Sequence, residues 1–142
     1  MGALLSTRRP AWFTPVALLA ILWNAFGVAM YLSTVGMFGD PLEGMSATER
    51  AAAASVPGWI KGAFAIGTFA GLIGSIGLLM GKAWAQPVLI LSLIALLVME
   101  GWIIFLSGMR EATGLAIPIS VVAGAVLLAW LANAARNRGW LR

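Results

Sequence analysis

The sequence predicts an all-α integral membrane protein, a bundle of four antiparallel apolar helices, and three observations carry that prediction. Residues 15–36, 58–80, 87–107 and 114–135 are each apolar for about 21 to 23 residues, and a helix of that length rises about 30 Å, the thickness of a bilayer's hydrocarbon core. Only Lys61 and Glu100 among the charged residues fall inside those runs. Across its 142 residues the chain is 61% hydrophobic and 10% charged, against about 25% charged in a soluble domain. So much apolar surface has no place to hide in a globule of this size. Residues 1–142 are read as one transmembrane domain.

Each element carries its own punctuation. The first span is introduced by Thr14 and Pro15, a capping hydroxyl before a proline at the first helical position. Its apolar run is too long for a cleaved signal peptide, and Pro10 directly after Arg8 and Arg9 speaks against a twin-arginine signal. The connection 37–57 opens as turns through Gly39, Asp40, Pro41 and Gly44. Within it, Ser46, Ala47, Thr48 and Glu49 match a capping box, so a short amphipathic helix is expected in this outside loop, ended by Pro57. The next two connections are about six residues long, which forces their flanking helices to be antiparallel neighbours. Gln86 and Pro87 open the third span as Thr14 and Pro15 open the first, with a weaker cap. The fourth span runs out into Arg136, Asn137, Arg138 and Gly139, basic residues and a glycine that suit a helix C-terminus.

Orientation follows from Lys and Arg. With a cytoplasmic N-terminus, the inside holds Arg8, Arg9, Lys82, Arg136, Arg138 and Arg142 and no acid. The outside then holds Arg50, Lys61 and Arg110 together with Asp40, Glu43, Glu49 and Glu111. This bias predicts that both termini lie on the cytoplasmic side. The net charge of +4 therefore reports topology, and no nucleic-acid partner is expected.

Residues 11–19 line up with residues 83–91, sharing Ala, Trp, Pro, Val and Leu at equivalent places. Interfacial Trp and helix-starting Pro explain this more simply than duplication of a two-helix unit. Trp12, Trp84 and Trp140 sit at the inner interface and Trp59 at the outer one, whereas Trp23 lies near mid-membrane.

Small residues mark helix faces that approach closely. In span two, Ala63, Gly67, Gly71 and Ser75 repeat every fourth position, with Gly74 beside them; in span four Ala112, Ala116, Ser120 and Gly124 do the same. Lipid tails offer no hydrophobic drive between helices, so contact through small residues supplies the packing energy. Such a face serves either the bundle's own interior or a second membrane protein.

Glu100 is the most specific single residue. An acid within a span costs roughly 3 kcal/mol on insertion scales, so it is expected to face protein or water. Lys61, at the outer start of span two, is the one cation at comparable depth and a candidate partner. Ser92 and Ser107 lie near the same helical face as Glu100, which allows a narrow polar stripe. Asn24, at the middle of span one, needs a hydrogen-bond partner in a dry interior. Asn24 and Glu100 differ in expected depth by about 5 Å, which allows Trp23, Asn24, Tyr31 and Glu100 to line one small polar pocket. The absence of Cys and His removes thiolate chemistry, the usual general base and the commonest metal ligands. No nucleotide or catalytic motif appears, no cofactor is expected, and the chain is read as a non-enzyme.

At Leu22-Trp23-Asn24-Ala25-Phe26-Gly27-Val28, Lys82-Ala83-Trp84-Ala85-Gln86-Pro87, Leu91-Ser92-Leu93 and Arg138-Gly139-Trp140-Leu141, the chain resembles a group of small four-span bacterial proteins. The resemblance extends over nearly the whole chain, Thr48-Glu49-Arg50 included. It implies a proteobacterial inner membrane origin, and some members of the group carry a sugar-transporter label. Glu100 stands where a polar amide is expected in relatives. The functional expectation is an accessory or scaffold protein that packs against itself or a larger membrane complex. The competing expectation is a small-solute (sugar-like) or proton-coupled transporter, built around Trp23, Asn24 and Glu100.

Overall fold

A computed structural model describes residues 8–108 and 110–142, and the side chains of Ala112 and Thr113 lie outside that description. The described chain forms α1 (Phe13–Thr34), α2 (Ala47–Ser55), α3 (Gly58–Met80), α4 (Ala85–Phe105), the single turn α5 (Arg110–Thr113) and α6 (Ala116–Asn137). Helices α1, α3, α4 and α6 are each long and apolar enough to cross a bilayer, so the chain is a multi-pass helical membrane protein in contact with lipid.

The long helices fall within two residues of the predicted spans, and the shifts have physical causes. Thr14 and Gln86 do not cap: α1 begins at Phe13 behind Trp12, and α4 at Ala85 behind Trp84, with no side-chain cap at either start. Phe13 and Ala85 are both fully buried, and packing them extends each helix backwards past the polar residue. Pro15 and Pro87 then stand at the third helical position, where a missing N–H still costs nothing. Trp12 and Trp84 share nearly the same backbone angles, so the short internal repeat is also a repeat of local geometry.

The capping box forms as expected. Ser46 Oγ accepts from the Glu49 N–H at 3.3 Å, and the Ser46 N–H donates to Glu49 Oε2 at 2.7 Å. The helix it starts, α2, has no buried residue. Helix α3 ends on Gly81 at φ +71°, where the Gly81 and Lys82 N–H groups turn back to Leu78 O and Gly77 O. That left-handed residue leaves the last carbonyls satisfied, and glycine adopts it without strain.

Helix α3 is the centre of the molecule. It packs most extensively on α4 and next on α1, and α4 in turn packs on α6, while α1 and α6 have little direct contact. Half of α3's apolar window is buried against 17% of α1's. Glycines make this possible. A Cβ on Gly67 would lie 2.6 Å from Leu96 Cδ2, and one on Gly74 would lie 2.6 Å from Leu89 Cγ. Each pair is seven residues apart on its helix, so two leucine knobs of α4 seat in two holes of α3. Gly77 likewise receives the Trp84 ring.

Two apolar clusters result. At one end, here termed the tail end, Phe13, Ala17, Leu78, Ala85, Leu89, Leu131, Ala132, Ala135, Trp140 and Leu141 bring all four long helices together with the C-terminal residues. At the other, the α2 end, Ile60, Leu96, Met99 and Ala125 join only α3, α4 and α6.

Candidate functional site

Asn24, Ser75 and Ser92, from three of the long helices, converge around Gly71. Asn24 is buried on α1, and its Nδ2 donates to Ala20 O at 2.9 Å and to Ser75 Oγ of α3 at 3.2 Å. Ser75 passes the chain on, donating to Gly71 O at 2.7 Å. From the opposite side Ser92 of α4 donates to Gly67 O at 2.6 Å. Gly71 lies between the two: any Cβ there would overlap Asn24 Oδ1 and lie 3.1 Å from Ser92 Oγ. Glycine at position 71 therefore lets a polar seam join α1, α3 and α4. In a dry interior every one of these groups needs its partner, so the seam fixes the register of the three helices.

Trp23, next to Asn24, is half exposed and places its indole edge by Gly124 of α6. Between them lies a cavity of about 10 Å³ lined by Trp23, Asn24, Leu89, Ser92, Leu96, Val121, Ala125 and Leu128. That volume matches a single water at most, with Asn24 and Ser92 as its polar walls. It is too small for a sugar.

Glu100 and Tyr31 do not join this cavity. The seam sets Asn24 level with Ser92, and Glu100 lies eight residues further along α4, about 12 Å by helical rise. Glu100 is only 4% exposed, and its Oε2 has no hydrogen-bond partner among the described residues. Lys61 does not supply one. Ile60 is drawn into the cluster with Leu96 and Met99, which turns Lys61, the next residue round the helix, outward into an exposed position. Tyr31 instead packs edge-on against the rings of Phe64 and Phe69, at 5.6 and 6.0 Å between centroids. Ser107 lies beyond the end of α4 and donates to Ile103 O at 2.6 Å.

The two small-residue faces have different surroundings. Gly67, Gly71, Gly74 and Ser75 are buried between α1 and α4, and Ala63 is partly buried beside the α2-end cluster. This face is occupied by the molecule's own helices. On α6, Ala116 and Ser120 are exposed and Gly124 is half covered by Trp23. Ala112, grouped with them in the sequence, has a side chain outside the described set.

Two constellations escaped the sequence reading. Gln86 Nε2 donates to Asn133 Oδ1 at 2.8 Å, and Arg136 Nη1 donates to Gln86 Oε1, so a polar clamp ties α4 to α6 at the tail end. A polar residue beside Pro87 has the local pattern of a cap, and a partner 47 positions away leaves no local signal. The second is a basic basin of about 540 Å³ at the same end, lined by Arg8, Arg9, Lys82 and Arg142 with Met80, Gly81, Gly139 and Trp140. Its residues were legible only as a topology signal. Outside the spans, Glu49 is the acid whose titration the fold visibly alters: the Ser46 backbone N–H and then its hydroxyl hold the carboxyl below its ordinary value.

No protein-family model, curated protein or solved structure matches the chain.

Proposed function

We propose that the chain is a non-enzymatic protein of a bacterial cytoplasmic membrane and a member of the small four-span group its sequence resembles. In this reading the four long helices cross in alternate directions, both termini are cytoplasmic, and α2 lies on the outer surface. The protein acts as an accessory or scaffold subunit that packs against a second copy or a larger membrane complex. One observation carries the reading: the small-residue spacing of α3 is already filled from within, whereas Ala116, Ser120 and Ala123 of α6 are exposed among the described residues. Close helix approach in lipid uses such residues, so α6 is the face left for a partner.

The chain has no cysteine, which makes the test clean. Ser120→Cys, oxidised in native membranes, is expected to cross-link to a second copy or a co-resident protein. Ser120→Leu is expected to lose that companion in mild-detergent purification while the fold persists. Wild-type protein that runs as a lone monomer, with no cross-link from position 120, would refute the proposal.

A second reading, a carrier of small solutes or protons, draws on Glu100, a buried acid whose Oε2 is unpartnered among the described residues. Intramembrane acids commonly mark such pathways. It requires a proteoliposome flux that Glu100→Gln abolishes in a folded protein, and a pathway wider than the single-water cavity beside Asn24.

A further inference from the structure

The basin at the tail end is assembled from three separate stretches of chain. Arg8 and Arg9 precede α1, Lys82 follows α3, and Gly139, Trp140 and Arg142 follow α6. None of the residues lining it has an acidic side chain. The chain's five acids are Asp40, Glu43, Glu49, Glu100 and Glu111, and each lies in another part of the sequence. Folding thus gathers four cations from distant positions around one opening, an arrangement whose self-repulsion an anion relieves.

The rim is held in place rather than merely charged. Arg9 Nη1 donates to Leu79 O at 2.9 Å, at the C-terminal turn of α3. A Cβ at Gly81 would overlap the Arg9 guanidinium, so the glycine both ends α3 and makes room for that side chain. The Arg142 N–H donates to Gly81 O at 2.8 Å and the Ala83 N–H donates to Arg142 O at 3.0 Å, which staples the last residue beside Lys82. Trp140 is gripped by the rings of Phe13 and Trp12 at 5.7 and 5.9 Å. The carbonyls that end α3 are occupied by Arg9, Gly81 and Lys82, so that helix terminus presents few free acceptors to an incoming anion.

Depth identifies the anion. Met80, the last residue of the apolar helix α3, lines the basin, as does Trp140, an interfacial residue type. The opening therefore lies where hydrocarbon gives way to headgroups. Its volume falls within the roughly 300–1,000 Å³ of small-ligand sites. We infer that this basin is a binding site for the phosphodiester headgroup of an anionic phospholipid of the adjoining leaflet, held by Arg8, Arg9, Lys82 and Arg142. Basic pockets beside membrane helices bind such headgroups through the same chemistry. Free phosphate offers similar oxygens, but it lacks acyl chains to lie along the exposed Met80 flank.

The test uses the full chain in a nonionic detergent, titrated with short-chain phosphatidylglycerol, short-chain phosphatidylcholine and inorganic phosphate. Phosphatidylglycerol is expected to bind most tightly, and more weakly at high salt. Removing charge by Arg8→Gln and Lys82→Gln, exposed side chains with no hydrogen bond to lose among the described contacts, is expected to weaken it about fivefold per residue. An equal loss of charge elsewhere, Arg50→Gln with Arg110→Gln, is expected to leave the affinity unchanged. Circular dichroism melts of all variants check that the fold is retained. Equal binding of phosphatidylcholine, or an equal loss from the remote pair, would reduce the basin to unspecific charge and overturn the inference. Inorganic phosphate binding as tightly as phosphatidylglycerol would overturn the lipid assignment.

Discussion

The two ends of the bundle are built to different standards of closure. At the tail end, residues from α1, α3, α4 and α6 meet in one cluster, the C-terminal residues Trp140 and Leu141 plug it, and the Gln86–Asn133–Arg136 clamp ties two helices outside it. At the α2 end the cluster draws on α3, α4 and α6 alone, while α1 is held to α3 by Tyr31 between Phe64 and Phe69. Phe105 and Leu106 there remain 79% and 76% exposed. In water such a difference would imply a weak end. In lipid it implies something else, because exposed apolar side chains are solvated by acyl chains and packing alone distinguishes contact from separation. The tail end is where structure is committed, and the α2 end is where α1 and α6 remain free of one another.

Substitutions separate these two behaviours. The largest effect is expected from Gly71→Leu, which drives a side chain into Asn24 and Ser92 at the junction on which both ends depend. Overpacking together with broken buried hydrogen bonds should cost roughly 3 kcal/mol or more, read as loss of the folded band in denaturant titration of the detergent-solubilised protein. A paired comparison comes next. Leu78→Ala, in the fully enclosed tail-end cluster, should cost about 2 kcal/mol, and Ile60→Ala, at the α2 end, less than half of that. The reason is that the α2-end cluster joins three helices and the tail-end cluster four, so a cavity beside Ile60 has more freedom to collapse. Equal costs would show that the two ends do not differ in closure.

The smallest effect concerns α2. The Ser46 hydrogen bonds lower the Glu49 carboxyl below its ordinary value of 4.5, so the folded pKa is the depressed one. Its contribution to α2 is therefore present above pH 4.5 and is lost as pH falls through that lowered value. Ser46→Ala should move the Glu49 midpoint upward, followed by the side-chain chemical shift of Glu49 in an acid titration. The tail-end cluster, which holds no acid, should show no matching change over the same range.

Much of this architecture could be read before any helix was placed. The four spans, the short helix behind Ser46 and the close-packed face of α3 all rest on local patterns, and each is present within about two residues of its expected bounds. The end residues were harder. Thr14 and Gln86 look like caps in isolation, and the burial of Phe13 and Ala85 overrides them. The candidate polar pocket was legible only in its parts. Trp23 and Asn24 share a cavity wall, but its other polar wall is Ser92 rather than Glu100.

Sequence alone determined that this chain crosses a bilayer repeatedly and that small residues line one helix, because helix length and side-chain size are properties of consecutive residues. Tertiary structure alone decided that Asn24 answers Ser75, that Lys61 turns away from Glu100, and that Arg8, Arg9, Lys82 and Arg142 share one opening. These outcomes depend on the relative depth and rotation of whole helices. Within the hydrocarbon no difference in hydrophobicity favours one helix rotation or pairing over another, so these are left to the steric fit of glycine against leucine and to the need of each buried polar group for a partner.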